Sequence, residues 1–346
     1  MDQAEKIHRE SIVVLCHEDV PIDITHRRMN GEKAVMARIH LPRYKQGGVN
    51  MAVMAVGGDW IRPFCRPQAA FPVYMEATLN SIVQMYAEER ESNEGFFVIT
   101  TKSDLDRLRP GGPVGVVLHI EGAKPLAGQL SMLEIYYRLG IRSMQLSRFD
   151  RNEVADSVAE KHPGGLTQFG IEVVKAMNEL GMLIDLSHMA EPSFWDTIET
   201  SRHPVMASHS NAKALVDHRR NLTDDQIKAI ASKGGLVGVV FFPPYVHSGV
   251  PTIEHILDQF DYLRDLVGID YIGIGPDFVD YAPELILGTV PGKTGATDMQ
   301  FPRDAEDVTK LPNITKGLIR RGYAEEAIRK ILGNNMLRVL RQVLTT

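Results

Sequence analysis

Short apolar runs alternate along this chain with longer amphipathic stretches. The runs are Ser11–Leu15, Val49–Val56, Val114–Ile120, Ile141–Leu146, Met182–Leu186, Pro204–Ala207, Leu236–Phe242 and Tyr271–Gly275. They are β-branched and nearly continuous, the pattern of parallel strands buried on both faces. Between them, helical periodicity marks Ala70–Glu89, Ser131–Leu139, Thr167–Leu180, Pro192–Ser201, Thr223–Lys233, Thr252–Val267 and Arg303–Arg321, and one more helix covers Ala324–Leu344. Thr223-Asp224-Asp225-Gln226 reads as a capped helix start, and Gly181 stands where a helix-ending glycine belongs. Phe96–Thr101 and Ser103–Leu108 read as an extra strand and a short helix inserted between the second and third runs. Strand alternating with helix gives parallel βαβ units. Eight of them predict an α/β fold closed as a (β/α)8 barrel of the metal-dependent hydrolase type, with 1–346 as a single catalytic domain.

The polar residues that follow the runs turn this architecture into chemistry. His17-Glu18-Asp19 follows the first, Glu121 the third, Ser147-Arg148 the fourth, His188 the fifth, His209 the sixth and Asp277 the eighth. In a (β/α)8 barrel the active-site groups lie at the C-terminal ends of the strands. His17 and Asp19 are two residues apart and share a face. Glu121 closes an apolar strand, where a carboxylate is costly unless paired or metal-bound. Its two oxygens suit two ions. His188 and His209 close successive strands, so they are neighbours in a barrel. Asp277 reads as a ligand or as the proton-transfer group. Nitrogen and oxygen donors of this kind suit zinc or a similar divalent ion. His119 faces the same way as Glu121 and reads as a hydrogen-bonded barrel histidine. The remaining histidines, His8 among them, read as having no catalytic role.

Composition narrows the partners. Of 346 residues, 44% are hydrophobic and 24% charged, as in an ordinary soluble protein. A net charge of −6 offers no basic footprint for nucleic acid. Cys16 and Cys65 are too few for a disulfide framework and read as free thiols. No signal core, lipid-anchor tail or membrane-spanning run is apparent, so no membrane partner and a cytoplasmic location are expected.

The residues resemble the membrane (renal) dipeptidase family of the amidohydrolase superfamily over essentially the whole chain. The most specific string is Gly181-Met182-Leu183-Ile184-Asp185-Leu186-Ser187-His188. Ser208-His209-Ser210 and Gly273-Ile274-Gly275-Pro276-Asp277-Phe278 support it. The resemblance implies a barrel with a binuclear zinc centre. His17, Asp19 and Glu121 would hold one ion and Glu121, His188 and His209 the other. Asp277 would handle the proton, and Arg220 would take the substrate's terminal carboxylate. A homodimer is also implied.

Four departures from the family pattern surround this set. The usual G-H-N-D is Cys16-His17-Glu18-Asp19, and the usual T-H-N is Ser147-Arg148-Phe149. Asp277-Phe278-Val279-Asp280 replaces D-F-D-G, and Phe241-Phe242-Pro243 replaces N-F-Y. Arg148 could stabilise an oxyanion, bind a second anionic group of the substrate, or pair with Asp150. Phe242 and Arg220 are further candidates for substrate contact. The expected activity is hydrolysis of a dipeptide-like amide next to a free carboxylate by a bridging metal hydroxide. The alternative is amide or lactone hydrolysis, or metal-assisted decarboxylation, of a non-peptide substrate. A non-catalytic binding scaffold is disfavoured, because the ligand set is complete.

Overall fold

The computed structural model describes residues 2–59, 72–281 and 300–345. Among them, nine parallel strands form one sheet: β1 (Val13–Glu18), β2 (Val49–Gly58), β3 (Phe96–Val98), β4 (Val114–Glu121), β5 (Ile141–Gln145), β6 (Leu183–Asp185), β7 (Val205–Ala207), β8 (Leu236–Val239) and β9 (Ile272–Ile274). Eight of them close on themselves in the order β1-β2-β4-β5-β6-β7-β8-β9, with β9 returning to β1 through Leu15 and Ile274. The expected (β/α)8 barrel is therefore present. β3 is the inserted strand. It pairs with β4 at Val114–Val116, on the edge that β5 takes over from Leu118 onward.

Two apolar layers hold the barrel. Val14, Cys16, Met51, Val53, Val117, Leu183, Met206 and Leu236 fill the interior, where Met336, Val339 and Leu340 of the C-terminal helix join them. The alternate residues, such as Val13, Leu15, Ala52, Val116 and Ile184, pack outward against the helices. The helix starts follow local chemistry. The Thr167 hydroxyl accepts the Gly170 N–H at 2.9 Å, and Thr223 and Gln226 form the expected reciprocal cap. Gly181 ends its helix at φ 73°.

Some elements differ from their sequence pattern. The helix expected over Arg303–Arg321 is confined to Leu311–Arg320, entered through a tight turn at Val308–Lys310, with Pro312 in its first turn. The C-terminal helix is interrupted by a wider, π-type turn at Lys330–Asn334. There Gly333 lies so close to β1 that a Cβ would stand 2.2 Å from the Ile12 carbonyl oxygen. Helices at Gln3–Glu10, Val20–Met29 and Leu41–Gly47 escape the periodicity reading. Val20–Met29 hides because it buries Asp23 beneath Arg27 and His40, which breaks an apolar stripe. The helix expected from Ala70 is described only from Pro72, and Cys65 lies outside the described residues. Cys16 is a buried free thiol. Among the described residues, no helix is long and apolar enough to cross a membrane.

Candidate metal centre

The C-terminal mouth gathers every residue proposed as a ligand. β1 carries an irregularity against β2: Leu15 pairs with Ala52 and Glu18 with Met54, three steps against two. Such a bulge re-aims side chains. Val14 and Cys16 point inward, yet beyond the bulge it is His17 that joins the inward cluster, while Glu18 turns to Tyr44. The backbones at this rim are tightly packed. A Cβ on Gly58 would lie 1.9 Å from the Glu121 carbonyl oxygen, so only glycine lets β2 and β4 close here. His188 at φ 67° and Asp277 at φ 58° both sit in the left-handed region. Non-glycine residues held there concentrate at functional sites.

Glu121 is the hub. Its Oε1 lies 3.8 Å from His17 Nε2, 3.5 Å from His188 Nε2 and 3.9 Å from His209 Nε2. His17 Nε2 also lies 3.6 Å from Asp19 Oδ1 and 3.9 Å from Asp277 Oδ1. Two donor sets of three therefore form within coordination reach, His17-Glu121-His209 and His17-Asp19-Asp277. A third, His17-His119-Asp185, lies deeper in the barrel. His119 there bonds Ser143 Oγ through Nδ1 at 3.0 Å, as a barrel histidine should.

The electrostatics fit a bound cation. His17 Nδ1 and Nε2, Asp19 Oδ1 and His188 Nδ1 are buried without a hydrogen-bond partner. Buried polar atoms are otherwise almost always paired. Burial opposes charge on His17, but Asp19, Glu121 and Asp277 outweigh it and push the imidazole up to about 10. Burial, aided by Asp19 and Asp277, lifts Glu121 to about 7 against the pull of Arg148 and His17. Burial also raises Asp277. It lowers His188 and His209 far below the usual imidazole range, with Arg220 adding to the effect. Neutral imidazoles offer the lone pairs a metal needs. The Nε2 atoms of His188 and His209 stand 2.9 Å apart, close enough to share a proton or to face one ion together.

A relay absent from the sequence reading orients His209. Asp185 Oδ2 accepts the Ser208 hydroxyl at 2.5 Å, and Ser208 Oγ stands 2.7 Å from His209 Nδ1. With the Nδ1–H donated to Ser208, the Nε2 lone pair faces the cluster. A carboxylate closing β6, inside the apolar run Met182–Leu186, was the available signal.

The two arginines take different positions. Arg148 Nε lies 2.6 Å from Glu121 Oε2, as a close ion contact, while Asp150 pairs instead with Lys124 at 3.2 Å. Arg220 is 4% exposed and its Nε has no partner. It donates one N–H to the His209 carbonyl at 3.2 Å and lies 5.2 Å from the Tyr245 ring centre. Asp217, its sequence neighbour, pairs with Lys213. Phe242 is buried against Tyr245 and Phe301, one ring removed from Arg220. The sequence carries no sign of Tyr245, since it lies in the single helical turn Pro243–Val246, too short to show periodicity.

The model of the membrane dipeptidase family, peptidase family M19, matches residues 1–291 and 292–346. The chain belongs to the membrane dipeptidase family. The dipeptidase tcpJ of Claviceps purpurea is 31% identical over 77% of the chain and 58% of its own length. An uncharacterized protein of the pqqA 5′ region of Klebsiella pneumoniae is 35% identical over 70% of the chain and 86% of its own length. A metallo peptidase from Rhodobacter sphaeroides, solved with a phosphinate mimic of the dipeptide L-Ala-D-Ala, superposes with a TM-score of 0.82 at 25% identity, covering 96% of this chain and 99% of that one. The chain thus spans little more than half of tcpJ. In this member of the membrane dipeptidase family, Arg148 brings a guanidinium onto Glu121, the carboxylate at the centre of the cluster.

Proposed function

We propose that this chain is a binuclear metal-dependent dipeptidase, built as one domain over 1–346. Its two divalent ions are zinc by the chemistry of the donors. His17, Asp19 and Glu121 hold one, and Glu121, His188 and His209 the other. The observation that carries the reading is the Glu121 carboxylate, buried among three imidazoles with its Oε1 within 3.5 to 3.9 Å of each Nε2. The dipeptidases among its relatives favour this over a non-peptide substrate.

When bound, the ions lower the pKa of a water and polarise the scissile carbonyl. The rest falls to the chain's own residues. Arg220, buried with an unpartnered Nε, takes the substrate's terminal carboxylate. Tyr245 and Phe242 stack behind it and fix its direction. Asp277, raised by burial, accepts the proton of the attacking water and passes it to the leaving nitrogen. The water's oxygen ends on the new acyl carboxylate and its proton on the amine. Arg148 neutralises Glu121 and stands close enough to the cluster to stabilise negative charge on the scissile oxygen. A cytoplasmic homodimer belongs to the same reading, the dimer on the strength of the family likeness. Cell fractionation and native mass test those two parts.

Elemental analysis with a screen of L-L, L-D and glycyl dipeptides tests the function. About two divalent ions per chain are expected, with fewer in Glu121→Ala. Two ions retained by that variant would remove Glu121 from its shared position. Failure of the metal-loaded protein to release an amino acid from any dipeptide would overturn the activity.

A further inference from the structure

A cavity of about 70 Å³ is lined by both His188 and Arg220, beside the metal cluster. A water needs roughly 10–15 Å³ of such space. The cavity therefore has room for a short side chain of about five non-hydrogen atoms. Its wall is unusually cationic. Lys213, Arg219 and Arg220 line it, against the single carboxylate of Glu191. Lys213 is only loosely engaged, 3.6 Å from an Asp217 that is 88% exposed in its side chain. Arg219 makes no ion pair among the described residues. Two further groups are buried without partners, Arg220 Nε and the hydroxyl of Ser210, and both residues line the cavity.

One carboxylate saturates Arg220, whose remaining reach is shared with the His209 carbonyl. A cavity with two more cations beyond it has charge left over. Lys213 and Arg219 are exposed to solvent and Arg220 is buried, and a lining with this net positive charge raises the local concentration of anions. From this, and resting on the dipeptidase reading above, we infer that the pocket selects a leaving residue with a short acidic side chain. The substrate is then a dipeptide whose C-terminal residue is a dicarboxylic amino acid, its α-carboxylate on Arg220 and its side-chain carboxylate toward Lys213 and Arg219. The same lining disfavours a C-terminal lysine by charge.

The test compares L-Ala-X dipeptides with X as aspartate, glutamate, alanine, lysine and tryptophan, each in both configurations of X. For the wild type, kcat/KM with aspartate should exceed that with lysine by at least tenfold. In the double variant Lys213→Glu, Arg219→Glu the ratio of the two should fall by tenfold or more. A ratio cancels any general loss of activity. Equal rates for the acidic and basic substrates, or a ratio unmoved by the charge reversal, overturn the inference while leaving the dipeptidase reading intact. If no dipeptide is cleaved, that reading fails and the pocket is judged by binding of free L-aspartate, the expected leaving group. L-Aspartate should then raise the melting temperature of the wild type more than L-lysine does, and lose that advantage in the double variant. No difference between the two amino acids overturns the inference.

Discussion

His8 and His17 stand at opposite ends of the same run of chain, one just before β1 and one at its C-terminal end. Both are buried, at 2% and 0% exposed. Both ring nitrogens of His8 are bonded, Nδ1 to Thr315 Oγ1 at 2.7 Å and Nε2 to the Gly47 carbonyl at 2.8 Å. Neither ring nitrogen of His17 has a hydrogen-bond partner. Burial lowers His8 and keeps it neutral. His17, equally buried, is pushed the other way by three carboxylates. A histidine whose hydrogen bonds are complete holds the fold together. One whose Nε2 faces three carboxylates at 3.6 to 3.9 Å is arranged for a ligand the chain does not supply.

The hardest test of that contrast is at Asp277. Asp277→Asn keeps the shape but cannot carry a proton, so kcat should fall by roughly 10²–10⁴-fold with metal content unchanged. A normal kcat would take Asp277 out of the proton path. Arg220→Ala comes next. Loss of a charge-assisted contact costs roughly 1.5–3 kcal/mol. That should appear as a rise in KM with kcat little changed, because the carboxylate is bound alike in ground and transition states. An equal fall in kcat would move Arg220 into the chemistry.

His8→Gln probes the satisfied end. It should leave metal content and kcat alone and cost about 1–3 kcal/mol of stability, read by chemical denaturation. Its pH signature follows from the lowered pKa. The fold favours neutral His8, so its contribution is present above the unfolded value of about 6.5 and is lost as pH falls through the lower folded value. The melting temperature should therefore decline less between pH 7 and pH 5 in His8→Gln than in the wild type. Parallel curves would mean that His8 does not titrate in the fold. The smallest effect is expected from Arg148→His, which restores the usual family residue. A gain of severalfold on neutral dipeptides is expected. Unchanged kcat and KM on every substrate would leave Arg148 as a structural partner of Glu121 alone.

The strands and the residues that close them were legible because burial on two faces and strand length are written locally. His17, Glu121, His188, His209 and Asp277 each follow an apolar run, so their placement at one mouth follows from the barrel. The helix at Val20–Met29 was not legible, because its buried Asp23 is satisfied by His40 from another segment. Arg148 was readable as a departure, but not its partner. Asp150 was the nearer carboxylate in sequence, and Glu121 is the nearer one in space.

The sequence by itself determined the barrel, the order of its strands and the donor types at its rim, since periodicity and strand-end chemistry depend on neighbours along the chain. Only the tertiary structure decided which imidazole nitrogen faces the cluster, through the Asp185–Ser208–His209 relay. It also decided that the β1 bulge turns His17 inward and that Arg220 lacks a carboxylate partner among the described residues beside a cationic pocket. Each of these depends on register between strands and on side chains brought together from distant segments, distances that no local pattern encodes.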